Sequence, residues 1–156
     1  MKKLRTLFAL FSLATVSATA GVADPDRAWI SLGSAHISDK DFEQINPGLF
    51  LTWEGEHLGY TVGAFRNSYG GFSTAATVGA PLIYKDDFEL SLFTGLATYP
   101  GYADRFRFSQ GDIVAIAGAS LRYKNVFTQL FPGNGNSVKL TASFGVTFDL
   151  GESPKH

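Results

Sequence analysis

The chain has no cysteine. That excludes a disulfide framework, a thiol nucleophile and any thiolate-held zinc or iron–sulfur centre. Histidine is also sparse, with three scattered copies, so a transition-metal site has too few donors. Charge is low and not positive. Removing Lys2, Lys3 and Arg5 from thirteen basic residues leaves ten against fourteen acidic ones, a balance of −4 that argues against a nucleic-acid partner. Beyond the first residues no apolar run approaches the roughly 20 residues that a spanning helix needs. Membrane residence, if any, must use strands.

What is present first is a leader. Lys2, Lys3 and Arg5 precede the apolar stretch Leu7–Val16, and Ala18-Thr19-Ala20 gives a small-x-small cleavage pattern, so residues 1–20 read as a signal peptide cut after Ala20. Residues 21–156 suit one domain. Seventeen glycines, 14 phenylalanines and six tyrosines favour strands and tight turns over helices.

From Arg27 onward the pattern is period-two alternation interrupted by Gly, Pro, Asn and Asp clusters. It predicts eight strands, at about 27–36, 48–55, 57–68, 72–82, 87–98, 111–123, 126–131 and 137–149. In the last, Val138, Leu140, Ala142, Phe144, Val146 and Phe148 oppose Lys139, Thr141, Ser143, Gly145, Thr147 and Asp149. The third opposes Leu58, Tyr60, Val62 and Ala64 to Gly59, Thr61 and Gly63. A water-facing strand surface normally carries Lys, Glu, Arg and Thr. Here the less apolar face is Gly, Ala, Ser and Thr, which suits a crowded lumen, with the large apolar face turned to lipid. The expectation is an all-β protein, an eight-stranded antiparallel up-and-down transmembrane β-barrel in the outer membrane of a Gram-negative cell, and a monomer. A soluble lipocalin-like barrel is the alternative. Joints near 55–56, 85–87 and 124–125 are short and those at 37–47 and 99–110 long, so the latter are placed at the outer surface.

Three polar features share that outer rim. His36 closes the first strand, Arg66-Asn67-Ser68 closes the third, and the loop between residues 37 and 47 carries Ser38, Asp39, Asp41 and Glu43. The tops of strands one and three stand about 10 Å apart, two strand spacings. A histidine beside a serine can deprotonate the hydroxyl for attack on an ester, and an asparagine amide can donate to the oxyanion that develops. The lumen face combines Gly59, Thr61, Gly63, Ala75, Thr77, Gly79, Gly95 and Gly118 with Phe50, Phe93, Val114 and Ile116, which leaves either a greasy cavity or a filled core. Tyr99, Tyr102, Phe106 and Phe108 around Arg105 and Arg107 read as an aromatic girdle or a lipopolysaccharide contact. Trp29 and Trp53 read as interface anchors.

The run Asp41-Phe42-Glu43-Gln44-Ile45-Asn46-Pro47-Gly48, followed by Gly59-Tyr60-Thr61-Val62-Gly63-Ala64-Phe65-Arg66-Asn67-Ser68-Tyr69 and by Pro81-Leu82, resembles the outer-membrane lipid A palmitoyltransferases. The resemblance implies an eight-stranded barrel that moves palmitate from a phospholipid to lipid A. It implies a site at His36, Asn67 and Ser68, with Asn67 standing where the family carries Asp. It implies membrane lipids as partners and no cofactor or metal. His36-Ile37-Ser38 followed by Asn46-Pro47-Gly48 is also similar to the lipid A deacylases, in which a glutamate orients the histidine; Phe50 falls where that residue belongs, with Glu43 and Glu54 as substitutes. A non-enzymatic barrel of the same fold, binding lipid or only stabilising the membrane, is the third reading.

Overall fold

The structure is a computed structural model that describes residues 23–135 and 138–151. The leader, residues 1–20, lies outside the described residues. The strands are β1 (Arg27–Ser38), β2 (Gly48–Glu54), β3 (Gly59–Arg66), β4 (Phe72–Lys85), β5 (Phe88–Thr98), the two-residue β6 (Ser109–Gln110), β7 (Ile113–Tyr123), β8 (Val126–Pro132) and β9 (Val138–Asp149). All pairings are antiparallel. Consecutive strands are neighbours, β1 pairs with β9, and β5 pairs with β7 across the short excursion that holds β6, so eight strands close into a barrel. No α-helix occurs among the described residues.

The eight predicted strands are all present, with shifted ends. The long joint after β5 is more structured than alternation suggested. It contains a 3-10 turn, Ala103–Arg105, and then β6, which pairs with the start of β7 at Val114 and Ile113. β8 reaches only the other half of β7, from Ala119 to Tyr123, because Pro132 ends it and a proline cannot donate to a ladder. Phe108 O accepts from Ala115 N at 2.8 Å and Asn134 Nδ2 donates to Ala115 O at 2.8 Å, so the returning loop satisfies backbone that β8 leaves open.

Alternation settles which way each side chain points. Ile30, Leu32, Leu49, Tyr60, Val62, Leu92, Phe144 and Phe148 lie exposed on the outside. The lumen receives Ser31, Ser34, Thr52, Thr61, Thr77, Ser120, Ser143 and the phenylalanines 50, 93 and 131. Large apolar residues are thus exposed on strands all around the barrel. Glycines on the lumen face permit close approach. At Gly63 a Cβ would fall 2.2 Å from the Phe50 ring, which lies across β3 in the space that glycine leaves.

Trp29 departs from expectation. It is an inward residue, 8% exposed, whose Nε1 donates to Thr52 Oγ1 at 2.8 Å and whose ring meets Phe127 edge-on at 4.8 Å. The reason is phase. Arg27, Trp29 and Ser31 alternate with the outward Ile30 and Leu32, and the hydroxyls around Trp29 offer its N–H the partner that lipid would deny. Trp53 is half-buried and donates to Ala23 O at 2.6 Å.

The end of the barrel where β1 begins and β9 ends is closed by charge. Arg27, 3% exposed, meets Glu54 at 2.7 Å, Asp149 at 2.9 Å and Glu89 at 3.1 Å, and Glu89 also takes Arg122 at 2.9 Å. These groups come from β1, β2, β5, β7 and β9, so one network ties together five strands around the floor. A buried guanidinium left without its carboxylates is costly, and so is the reverse. Arg27→Ala should therefore lower unfolding free energy by about 3 kcal/mol, read as the shift of the urea midpoint in detergent; an unshifted midpoint contradicts the network's structural role.

Candidate functional site

The opposite end of the barrel is shaped by the segment that joins β1 to β2. A β-bulge between Ser31 and Gly33 turns the upper half of β1. Ser34 N then donates to Gln44 O at 2.8 Å, and Gly33 has no Cβ to obstruct this, since one would sit 2.6 Å from that carbonyl. The same segment is tied to the far side of β3 by Arg66 N donating to Pro47 O at 2.9 Å and Glu43 N donating to Ser68 O at 3.1 Å. The loop thus spans the gap between the tops of β1 and β3 that strand spacing alone leaves open.

His36, on the inward face of β1, meets Ser68 there: Nε2 and Oγ are 2.9 Å apart. Phe42 from the joining loop stacks on the imidazole at 4.9 Å with 27° between planes, and Tyr69 packs edge-on against Phe42 at 5.5 Å. The ring is therefore held by stacking on one face and by the serine at one nitrogen. Its other nitrogen, Nδ1, is buried and has no hydrogen-bond partner. For Ser68 to donate to Nε2, the ring proton must sit on Nδ1, where it meets no acceptor. The other tautomer makes the imidazole the donor and leaves the serine unactivated.

Asn67 stands beside this pair in sequence but turns away from it. It is 1% exposed, and its Oδ1 accepts from Tyr69 N at 2.9 Å and Gly71 N at 3.1 Å, while Nδ2 donates to Ser73 Oγ at 2.8 Å. This is an Asx-type turn that starts the β3–β4 connection, with Gly70 at φ +81°. Asn67 therefore fixes where Ser68 sits and does not reach the imidazole or the serine hydroxyl with its amide. The two glutamates considered for orienting His36 are engaged elsewhere. Glu43 pairs with Arg66 at 2.8 Å, and Glu54 belongs to the floor network. Among the described residues no cluster of Asp, Glu and His is arranged to hold a metal ion, so Asp39, Asp41 and Glu43 do not converge on a cation.

Sequence reading missed Asn46. It is 5% exposed; its Oδ1 accepts from Ser34 Oγ, its carbonyl accepts from Ser31 Oγ at 2.9 Å, and its amide nitrogen has no partner. Ser34 lies two residues before His36 on the same inward face, which places Asn46 one layer below the His36–Ser68 pair. Asn46 stands in the irregular segment before β2, and its inward side chain is fixed by Ser34 and its carbonyl by Ser31, contacts that alternation does not show.

Below the pair lies a cavity of about 1130 Å³ whose lining includes Phe50, Phe65, Phe93, Ile116 and Phe131 as well as the hydroxyls. The unpartnered His36 Nδ1, Asn46 Nδ2 and Ser120 Oγ all belong to residues that line it. Over its mouth Tyr69, Tyr99, Tyr102 and Phe106 form a cluster, with Tyr69 and Tyr102 stacked at 4.9 Å and Tyr99 and Phe106 at 4.7 Å. The expected girdle is thus divided: these rings turn in over the lumen, and Phe108 remains 63% exposed. Burial pushes the Tyr99 phenol well above its ordinary range, so it stays neutral.

Asn67→Ala should cost about 1–3 kcal/mol, since two backbone N–H groups and a serine lose their partner, whereas Asn67→Asp should keep the turn by accepting from the same two N–H groups. Thermal unfolding of the two variants checks this; equal losses would contradict the turn assignment. No protein-family model matches the chain, and no curated protein matches it.

Proposed function

We propose that this barrel lies in the outer membrane and moves an acyl chain, palmitate by resemblance, from a phospholipid to lipid A, with Ser68 as nucleophile and His36 as its base. One observation carries the reading: a serine–imidazole contact of 2.9 Å set at the mouth of a largely apolar lumen of about 1130 Å³. That volume is at or above the upper range of ordinary ligand pockets. The apolar outer wall supports a lipid surround, because such a surface has a large cost in water and none among acyl chains. The short turns at the Arg27 end and the long connections at the His36 end support an orientation with the site at the outer leaflet.

Chemically, His36 Nε2 accepts the Ser68 proton as Oγ attacks the ester carbonyl. Negative charge then grows on the carbonyl oxygen. The free amide N–H of Asn46 is the side-chain donor available to it from within the lumen, in the role first assigned to Asn67. The tetrahedral intermediate collapses with cleavage of the ester C–O bond, and the lysophospholipid leaves as an alcohol that takes the proton from His36 Nε2. A lipid A hydroxyl, deprotonated by the same nitrogen, then attacks the acyl-serine carbonyl, and that proton passes to Ser68 Oγ as its ester bond breaks. The acyl tail occupies the aromatic part of the lumen, where its burial contributes binding that fixes the carbonyl at the rim.

A second reading, a lipid-binding barrel without catalysis, is favoured by His36 Nδ1, which lacks the carboxylate or carbonyl that usually orients a catalytic imidazole. The two readings separate in the mass spectrum of lipid A from cells with and without the gene. Acyl transfer adds one palmitoyl group; Ser68→Ala and His36→Asn should each remove that addition, a loss of about a thousandfold or more in rate. Asn46→Ala should slow it by about a hundredfold. An unchanged spectrum under all conditions supports the binder, and loss of an acyl chain supports hydrolysis. A Ser68→Ala variant that still acylates overturns the assignment.

A further inference from the structure

Arg105 is a cation placed beside the Ser68 end of the lumen, and it forms no ion pair with a carboxylate among the described residues. It ends the 3-10 turn Ala103–Arg105, which is fastened by Tyr102 N donating to Tyr99 O at 2.9 Å and Arg105 N donating to Tyr102 O at 3.1 Å. Its guanidinium carbon lies 4.9 Å from the centre of the Tyr69 ring and 5.1 Å from that of Tyr102. Those two rings are themselves stacked, 8° from parallel, so the arginine rests on a fixed aromatic platform.

Two consequences follow from that placement. The guanidinium lies against both rings and shares a side-chain hydrogen bond with the Tyr69 phenol, which leaves the rest of its N–H fork for a planar or tetrahedral oxyanion. The platform also fixes position, because Tyr69 follows Ser68 directly in the chain. The nearby Arg66 is in the opposite condition: it is bound to Glu43 at 2.8 Å and 3.0 Å and has its charge answered. Arg107, two residues beyond Arg105, is not part of the lumen lining, whereas Arg105 is.

The geometry points to Arg105 as an anion-binding residue that takes the phosphate of a lipid whose ester carbonyl is at Ser68. In a glycerophospholipid the phosphate lies only a few bonds from the ester carbonyls, the separation expected of groups held by neighbouring residues. This inference rests on the lipid reading of the site but not on catalysis, since phosphate binding requires neither Ser68 nor His36 to react.

The test is calorimetric titration of the purified protein in a zwitterionic detergent with three probes: dihexanoyl phosphatidylglycerol, dihexanoylglycerol and inorganic phosphate. The native protein should bind the phospholipid at least about tenfold more tightly than the uncharged diacylglycerol, the value of a charge-assisted hydrogen bond. Arg105→Gln should erase that preference and leave diacylglycerol binding unchanged, which also reports that the lumen is still folded. Arg105→Lys should retain part of the preference, and Arg107→Gln all of it. Competition by millimolar inorganic phosphate identifies a free-standing anion subsite; its failure to compete identifies the lipid headgroup as the source. A preference that survives in Arg105→Gln, or that is absent from the native protein, overturns the inference. A protein that shows the Arg105-dependent preference yet acylates nothing retains the anion site and loses the acyl-transfer reading.

Discussion

Barrel closure forces alternate residues of eight strands into a space of fixed girth, and the size of those residues decides whether the space is a core or a chamber. Here the inward set is dominated by glycine, alanine, serine and threonine in the middle of the barrel. At a few positions, such as Gly63 beneath Phe50, glycine is what lets a large ring lie flat against the wall. The volume left over cannot be removed by collapse, because the ladder of hydrogen bonds from β1 around to β9 sets the circumference. The chamber exists because the wall is rigid and its lining is small.

What the chamber can do follows from how its two ends differ. One end is closed by a guanidinium shared among three carboxylates, which requires charges contributed by strands far apart in sequence. The other is left to loops, and those loops are tied both to strands and to each other: the β1–β2 connection reaches β3, and the β5–β7 connection reaches the β8–β9 turn through Arg107 N and Asn134 O at 2.9 Å. A closed floor and a looped mouth make a one-ended vessel. The buried polar side-chain atoms without a partner among the described residues belong to its lining, His36 and Asn46 toward the mouth and Ser120 two residues from Arg122 of the floor.

Much of the fold was legible in the sequence because period-two alternation is a direct image of a two-sided wall. Leu140 to Asp149 could be assigned face by face without structure, whereas Val138, placed outside by alternation, lines the lumen, and the small inward face left a chamber and a filled core equally open. Trp29 was misread because its type suggests an interface, whereas its phase, shared with Arg27 and Ser31, places it inside. The floor network was invisible because Arg27, Glu54, Glu89, Arg122 and Asp149 are scattered along the chain and meet only on closure. At the site, His36 and Ser68 could be named from their places at strand tops. Their approach to 2.9 Å could not, since it depends on a bulge and on a loop that crosses between strands. The role of Asn67 was obscured for a local reason: an asparagine beside a serine looks like chemistry until its amide is seen to bind its own turn. Asn46 carried no such signal, yet its side chain proves to be inside.

The proposed chemistry makes Ser68 a nucleophile activated by His36 and reached by an acyl chain from within the lumen. A long-chain alkyl fluorophosphonate tests it most directly, since a serine oxygen that attacks phosphorus displaces fluoride and keeps the label. Peptide mass mapping of protein treated in detergent should place the phosphonyl group on Ser68, with the label lost in His36→Asn and much slower for a short alkyl chain. A native protein that takes up no label, or that carries it on a residue other than Ser68, would contradict the claim.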